Sequence, residues 1–325
     1  MSEIHNELDA IIKQMTVEEK VGQLLMIRLV EKHLRRLHAG TVIVGGDDLG
    51  GDIEGARRRM AQLQRFNSEF SSIPLWIHGF VTEEDWAGPR DRQIADTCTT
   101  EEAEQMCFEL GKRWRHIGLH TYPSPTVNIP VHGTCIMHGW EISDDVETTV
   151  RYARAITRGL VRARCGTMAQ HFPAHGATPV DSHYDVPVVE LDIDELLRVH
   201  IPPYLASFEE GCTTICTAHL RCPALDPDPA HIATTSRPIL TDFLRGRLGF
   251  RGVTIADAIG MAGFKSQGDQ AETTVKAVIA GCDSICITET DDLAERVFEA
   301  LLRAARDGKL APARLDEAVM RNLAF

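Results

Sequence analysis

The sequence predicts one α/β fold, a single (β/α)8 barrel running over residues 1–325. Three observations predict it. Short apolar runs alternate with longer amphipathic ones along the whole chain, the repeat of a strand-helix fold. The short runs are bounded by Gly or Pro and lack strict two-residue alternation, as strands covered on both faces do. No linker rich in Gly, Ser or Pro divides the 325 residues, so one large domain is favoured over two smaller ones.

Taken in order, Thr16 and Glu19 form a capping box before the apolar stripe Val21, Leu24 and Leu25, which starts a helix. A strand is expected at 41–45. The Gly45-Gly46-Asp47-Asp48-Leu49-Gly50-Gly51 segment then reads as a turn, because it lacks a phosphate-binding Lys and the dinucleotide fingerprint. Strands at 73–78 and 118–122 follow. Asp144 with Glu147 suggests a second capping box ahead of Val150, Ala153 and Ile156. Strands at 166–171 and 213–219 come next. Ser236 before Arg237-Pro238 suits a cap followed by proline in the first turn, with Leu240, Phe243 and Leu244 facing inward. After strands at 252–257 and 282–288, helices are expected at about 291–305 and 315–323, with Gly308 ending the first. Seven strands are thus identified, one short of closure.

Lys and Arg total 34 against 47 Asp and Glu, a net charge of −13, and the basic residues are scattered. A nucleic-acid partner is not expected, since phosphate contacts need concentrated positive charge. Most of the nine cysteines sit in apolar runs such as Ser284-Ile285-Cys286-Ile287, which points to reduced, buried thiols in a cytoplasmic protein. The first residues have neither a basic n-region nor an apolar h-region, and no apolar stretch approaches about 18 residues. Neither secretion nor a membrane partner is expected.

In a barrel the chemistry belongs at the carboxyl ends of the strands. Those ends hold His78 to Phe80, Tyr122 to Asn128, His171 to His183, His219 and Asp257. The densest stretch is His171-Phe-Pro-Ala-His175-Gly-Ala-Thr-Pro-Val-Asp181-Ser-His183. Asp181 and His183 are two apart, so on extended backbone they point the same way. The carboxylate can hold one imidazole nitrogen while the other faces substrate, which suits general acid and base work. A hydrogen bond that merely fixes the loop is the competing reading. Asp257 ends an apolar run and suits a nucleophile, a metal ligand or a helix cap. His120, His171, His175, His183, His219 and Asp257 could converge at the barrel mouth. However, no His-Glu-x-x-His or paired Cys-x-x-Cys spacing is present, and Cys212, Cys216 and Cys222 straddle one strand. No metal and no cofactor are expected.

Four segments together resemble glycoside hydrolase family 3: His171-Phe-Pro-Ala-His-Gly176, Asp181-Ser-His183 followed by Val186-Pro-Val-Val189, Thr217-Ala-His219, and Gly249-Phe-Arg-Gly-Val-Thr-Ile-Ala-Asp257 through Met261. The nearest subgroup is the single-domain bacterial β-N-acetylglucosaminidases. The resemblance runs from about Met15 to Ala280, opening on Met15-Thr-Val-Glu-Glu-Lys-Val-Gly-Gln-Leu24. It implies a (β/α)8 barrel and a retaining double displacement on a sugar-containing small molecule. Asp257 takes the nucleophile position and His183 the acid/base position, with Asp181 as its partner. Other subgroups use a glutamate from an additional domain, for which this chain is too short.

The sugar-holding positions depart from the family. Phe80-Val-Thr-Glu-Glu84 stands where a strand-end Asp and Gln-Glu-Gly-Gly are usual. Trp140, or else His138, stands at the usual Arg, and Gln170 replaces the Lys before His171. The resemblance thus surrounds the substrate with His171, Gln170, Phe80, Trp140, His219 and Met261. Hydroxyls that usually meet donors and carboxylates lose those partners, which implies altered specificity. Three readings follow. The first is a β-glycoside or modified amino sugar, with an aromatic aglycone against Phe80, Trp86 or Trp140. The second is a redirected lyase, isomerase or transferase acting on a small metabolite, with His183 and Asp257 as acid and base. The third is a catalytically silent ligand-binding barrel.

Overall fold

The computed structural model describes residues 3–80, 86, 88–131 and 139–324. Eight parallel strands close into a barrel in chain order: β1 Leu25–Arg28, β2 Thr41–Val44, β3 Trp76–Gly79, β4 Thr121–Tyr122, β5 Gly166–Phe172, β6 Thr214–Thr217, β7 Val253–Ala256 and β8 Ser284–Ile287. The ring is completed between β1 and β8, where Ile27 pairs with Ile287.

The strand missing from the sequence reading is β1. Leu25 to Ile27 directly continue the apolar stripe of the helix Val17–Gln23, so their pattern reads as more helix. The expected capping box is present, with Thr16 accepting from the Glu19 N–H at 3.2 Å. The second helix start is a simple cap, one residue further on. Asp145, not Asp144, caps the helix Val146–Arg162, accepting from the Thr148 N–H at 2.7 Å, while Asp144 pairs with Arg92. The glycine-rich segment is a single helical turn, Gly46–Leu49, because Asp48 Oδ2 accepts from the Gly45 N–H at 2.7 Å. Ser236 Oγ accepts from the Ile239 N–H at 3.2 Å at the start of the helix Pro238–Arg247.

Burial explains why the strands lack alternation. Ile43 faces the barrel interior with Met26, Trp76, Met168, Cys216 and Ile255. Its neighbours Val42 and Val44 face the helices and belong to the outer core. Both faces are apolar, so the two-residue period is present in space and hidden in the sequence.

A charged knot secures the helix Pro312–Leu323 to the sheet. The Asp283 carboxylate, fully buried, accepts from the Thr254 N–H at 3.0 Å, from Arg314 at 2.9 Å, from Arg321 at 3.0 Å, and from Arg245. Helix Pro312–Leu323 supplies two of these guanidinium groups. The eight described cysteines are unpaired; Cys135 lies outside the described residues. Among the described residues, no helix is long and apolar enough to cross a membrane.

Candidate active site

The strand ends open on a cavity of about 590 Å³. Its floor is the apolar barrel interior, with Met26, Ile43, Met168 and Ile255 among the residues exposed to it. His183 and Asp257 line this one cavity.

Asp257 immediately follows β7. Its Oδ1 accepts from the Ala258 N–H at 2.7 Å, and its Oδ2 lies 3.7 Å from His171 Nε2. Burial alone would raise this carboxyl. The fields of His171 and His219 and the Ala258 N–H outweigh it and hold Asp257 below the ordinary carboxylate value. The group is therefore an ionised carboxylate with its charge only partly neutralised, which is the state a nucleophile needs.

His171 comes from β5, and burial lowers its pKa to about 4 against the opposing field of Asp257. Asn128 fixes its tautomer. Asn128 Oδ1 accepts from the His171 backbone N–H at 3.1 Å, which leaves the amide Nδ2 to donate toward His171 Nδ1 at 3.4 Å. A neutral ring accepting at Nδ1 carries its proton on Nε2, the atom facing Asp257. The Gln170–His171 and Phe172–Pro173 peptides are cis.

The Asp181/His183 pair is formed, but on a turn and not on the extended backbone expected: the Tyr184 N–H donates to Asp181 O at 3.0 Å. Asp181 Oδ1 accepts from the His183 backbone N–H at 2.8 Å and lies 2.7 Å from His183 Nδ1. The bond orients the ring and leaves Nε2 uncommitted among the described residues. Behind the pair, Ser182 O accepts from the Gly263 N–H at 2.9 Å. This ties the loop to the segment just past Asp257.

The remaining expected residues divide. Phe80, Trp140, Gln170 and Met261 line the cavity. Phe80 is exposed at the mouth, and Trp140 carries the Arg90 guanidinium 4.6 Å above its ring. Gln170 spends its amide on Pro123 O at 3.0 Å and Thr126 Oγ1 at 3.2 Å, keeping only its carbonyl for a ligand. His219 is fully buried behind the wall. Its Nδ1 lies 2.8 Å from Thr234 Oγ1 and its Nε2 3.2 Å from Ala258 O, so it braces the turn that presents Asp257. Trp86 is half-buried, and its carbonyl accepts from Arg113 and Trp114. His138 and residues 81–84 lie outside the described residues.

Two charged cavity residues escaped the sequence reading. Arg28 ends the unrecognised β1, and Glu289 lies just beyond the expected strand 282–288; both face the cavity. Extending the strand-end rule by one residue at 282–288 would have found Glu289. His171, Cys216 and Asp257 also bring potential ligand atoms within 4.8 Å of one another, a set that could hold a metal ion. Burial pushes the Cys216 thiol well up, so a metal there would have to displace its proton.

The fold is thus a closed (β/α)8 barrel whose mouth gathers a carboxylate and a His-Asp pair. A profile described as the glycosyl hydrolase family 3 N terminal domain matches residues 16–324, and the chain belongs to that family. It is 26% identical over 275 residues to a β-hexosaminidase of Chromobacterium violaceum, an alignment covering 85% of this chain and 71% of the relative. A β-hexosaminidase of Xanthomonas campestris pv. campestris is 30% identical over 245 residues, 75% of this chain and 68% of the relative. The solved family 3 β-N-acetylglucosaminidase of Paenibacillus sp. superposes with a TM-score of 0.89 at 26% identity. The match covers 95% of this chain but 62% of the Paenibacillus chain.

Proposed function

We propose that this chain cleaves a β-glycoside or modified amino sugar by retaining double displacement, with specificity altered from that of N-acetylglucosaminidases. The observation that carries the reading is the shared cavity of Asp257 and His183, with His183 Nδ1 held by Asp181. In the first step the Asp257 carboxylate attacks the anomeric carbon as the glycosidic oxygen leaves, taking the proton from Nε2 of the His183 imidazolium. In the second, the neutral imidazole removes a proton from water, which attacks the same carbon and frees Asp257. Asp181 balances the imidazolium before the first step and again after the second, and holds the neutral ring in place between them.

Phe80, Trp140 and Gln170 support the altered specificity. They offer the sugar one exposed ring, one indole face and a single carbonyl where charged groups would read hydroxyls. A second reading, redirected acid and base chemistry on a small metabolite, draws on the same three residues and on the apolar floor. A panel of chromogenic β-glycosides and β-glycosaminides tests both. Release of the chromophore that disappears in Asp257→Ala supports hydrolysis. A non-sugar metabolite retained by the purified protein, with no glycoside cleaved, favours the second reading.

A further inference from the structure

Glu289 has no role in the mechanism above, yet its carboxylate is placed with some care. It lies two residues beyond β8 and lines the cavity. Its Oε2 is buried and has no hydrogen-bond partner among the described residues. Its Oε1 lies against the backbone of Gly260, where a Cβ would come within 1.4 Å of it. Gly260 does not have positive φ. The glycine is therefore there for space, and the space it leaves is filled by the carboxylate.

Oε2 is shut off from water and from a ligand alike, so the carboxylate's charge is left without a donor there among the described residues, and a ligand meets it on the side of Glu289 that lines the cavity. The charges around it narrow the choice of donor. Asp257 and Glu289 both face the cavity, and Arg28 is its one described Lys or Arg. Arg28 already lies 3.8 Å from Asp48, and the His183 imidazolium of the mechanism is paired with Asp181 at 2.7 Å. His171, lowered to about 4, is neutral at physiological pH. The cavity is thus acidic and floored by apolar side chains, which strengthens pairing with a cation and leaves a neutral hydroxyl at a disadvantage.

We propose that Glu289, seated on Gly260, forms a subsite for a protonated amine of the ligand, so that the preferred sugar carries a free ammonium group rather than an acetamide. The choice of a sugar as carrier rests on the glycosidase reading; the ammonium subsite itself does not.

Calorimetric titration of the full chain, at a pH where the amine is protonated, compares methyl β-glucosaminide with its N-acetyl and 2-hydroxyl counterparts. The wild-type protein is expected to bind the amine at least about tenfold more tightly than either, the scale of one charge-assisted hydrogen bond. Glu289→Gln should erase that preference. Gly260→Ala keeps the carboxylate but pushes it aside, so it should erase the preference as well, and it serves if Glu289→Gln fails to fold. A wild-type protein that binds the acetamide or hydroxyl sugar as well as the amine overturns the subsite, as does a preference that survives in both variants. Binding needs no turnover, so the two readings fail separately. Amine preference without cleavage of any glycoside leaves the subsite standing and the hydrolase reading defeated. Cleavage through Asp257 without amine preference does the reverse.

Discussion

His171 Nε2 stands 3.7 Å from Asp257 Oδ2, and Asn128, by accepting from the His171 backbone while donating toward Nδ1, sets the ring so that its proton points at the carboxylate. A neutral imidazole thereby supports an anion without cancelling it. Asp257 keeps a low pKa and a free charge together.

Removing that support should be visible in the pH profile. His171→Leu takes away the N–H and leaves burial, the force that raises Asp257, less opposed. The acid limb of kcat/KM should move upward by about one pH unit. An unmoved limb with a reduced kcat would mean that His171 acts on substrate and not on Asp257.

Stability should fall between pH 6.5 and 4. Burial lowers His78, His120, His171 and His200 from 6.5 to about 4. In this window the unfolded chain takes up protons that the folded chain refuses, so stability is full above 6.5 and declines as pH drops toward 4. His200 is the clearest contributor, since neither of its ring nitrogens has a partner among the described residues. Thermal melts of His200→Leu should show a shallower decline than wild type, with the variant's gain growing as pH falls and largest near pH 4.

The Asp283 knot gives a prediction remote from the cavity. Asp283→Ala leaves the buried Arg245 without its carboxylate partner and Arg314 and Arg321 with Glu317 as their one described carboxylate, around a buried gap. Breaking a buried ion network from one side costs about 3–5 kcal/mol. Denaturant titration should register that loss, and a change below about 1 kcal/mol would mark the network as surface-like.

Specificity is open to a gain-of-function test. Turnover of an N-acetylglucosaminide should be well below the roughly 1–10³ per second of competent enzymes. Phe80→Asp combined with Gln170→Lys restores two charged positions at the cavity wall, and should raise that turnover about tenfold or more. Efficient cleavage by the unaltered chain would show that Phe80 and Trp140 have not replaced essential contacts.

The sequence made much of this architecture legible, and the gaps have physical causes. Seven strands could be placed because Gly and Pro punctuate them, whereas β1 follows a helix with no breaker between Leu24 and Leu25. The Asp181/His183 bond was readable from a two-residue spacing, since such a contact is local. The burial of His219 was not, because its partners Thr234 and Ala258 reach it only through the fold. Nor was the seat of Glu289 on Gly260, a contact between segments 29 residues apart along the chain.

The most direct test of double displacement uses His183→Ala with a glycoside whose leaving group is already acidic. Protonation is then barely needed in the first step, while water goes unactivated in the second, so the glycosyl-enzyme should accumulate. Azide should rescue turnover and give a glycosyl azide of retained configuration. Intact-protein and peptide mass spectrometry should find a sugar adduct on Asp257. No adduct in the His183→Ala protein, together with turnover by Asp257→Ala, would contradict the assignment of Asp257 as nucleophile.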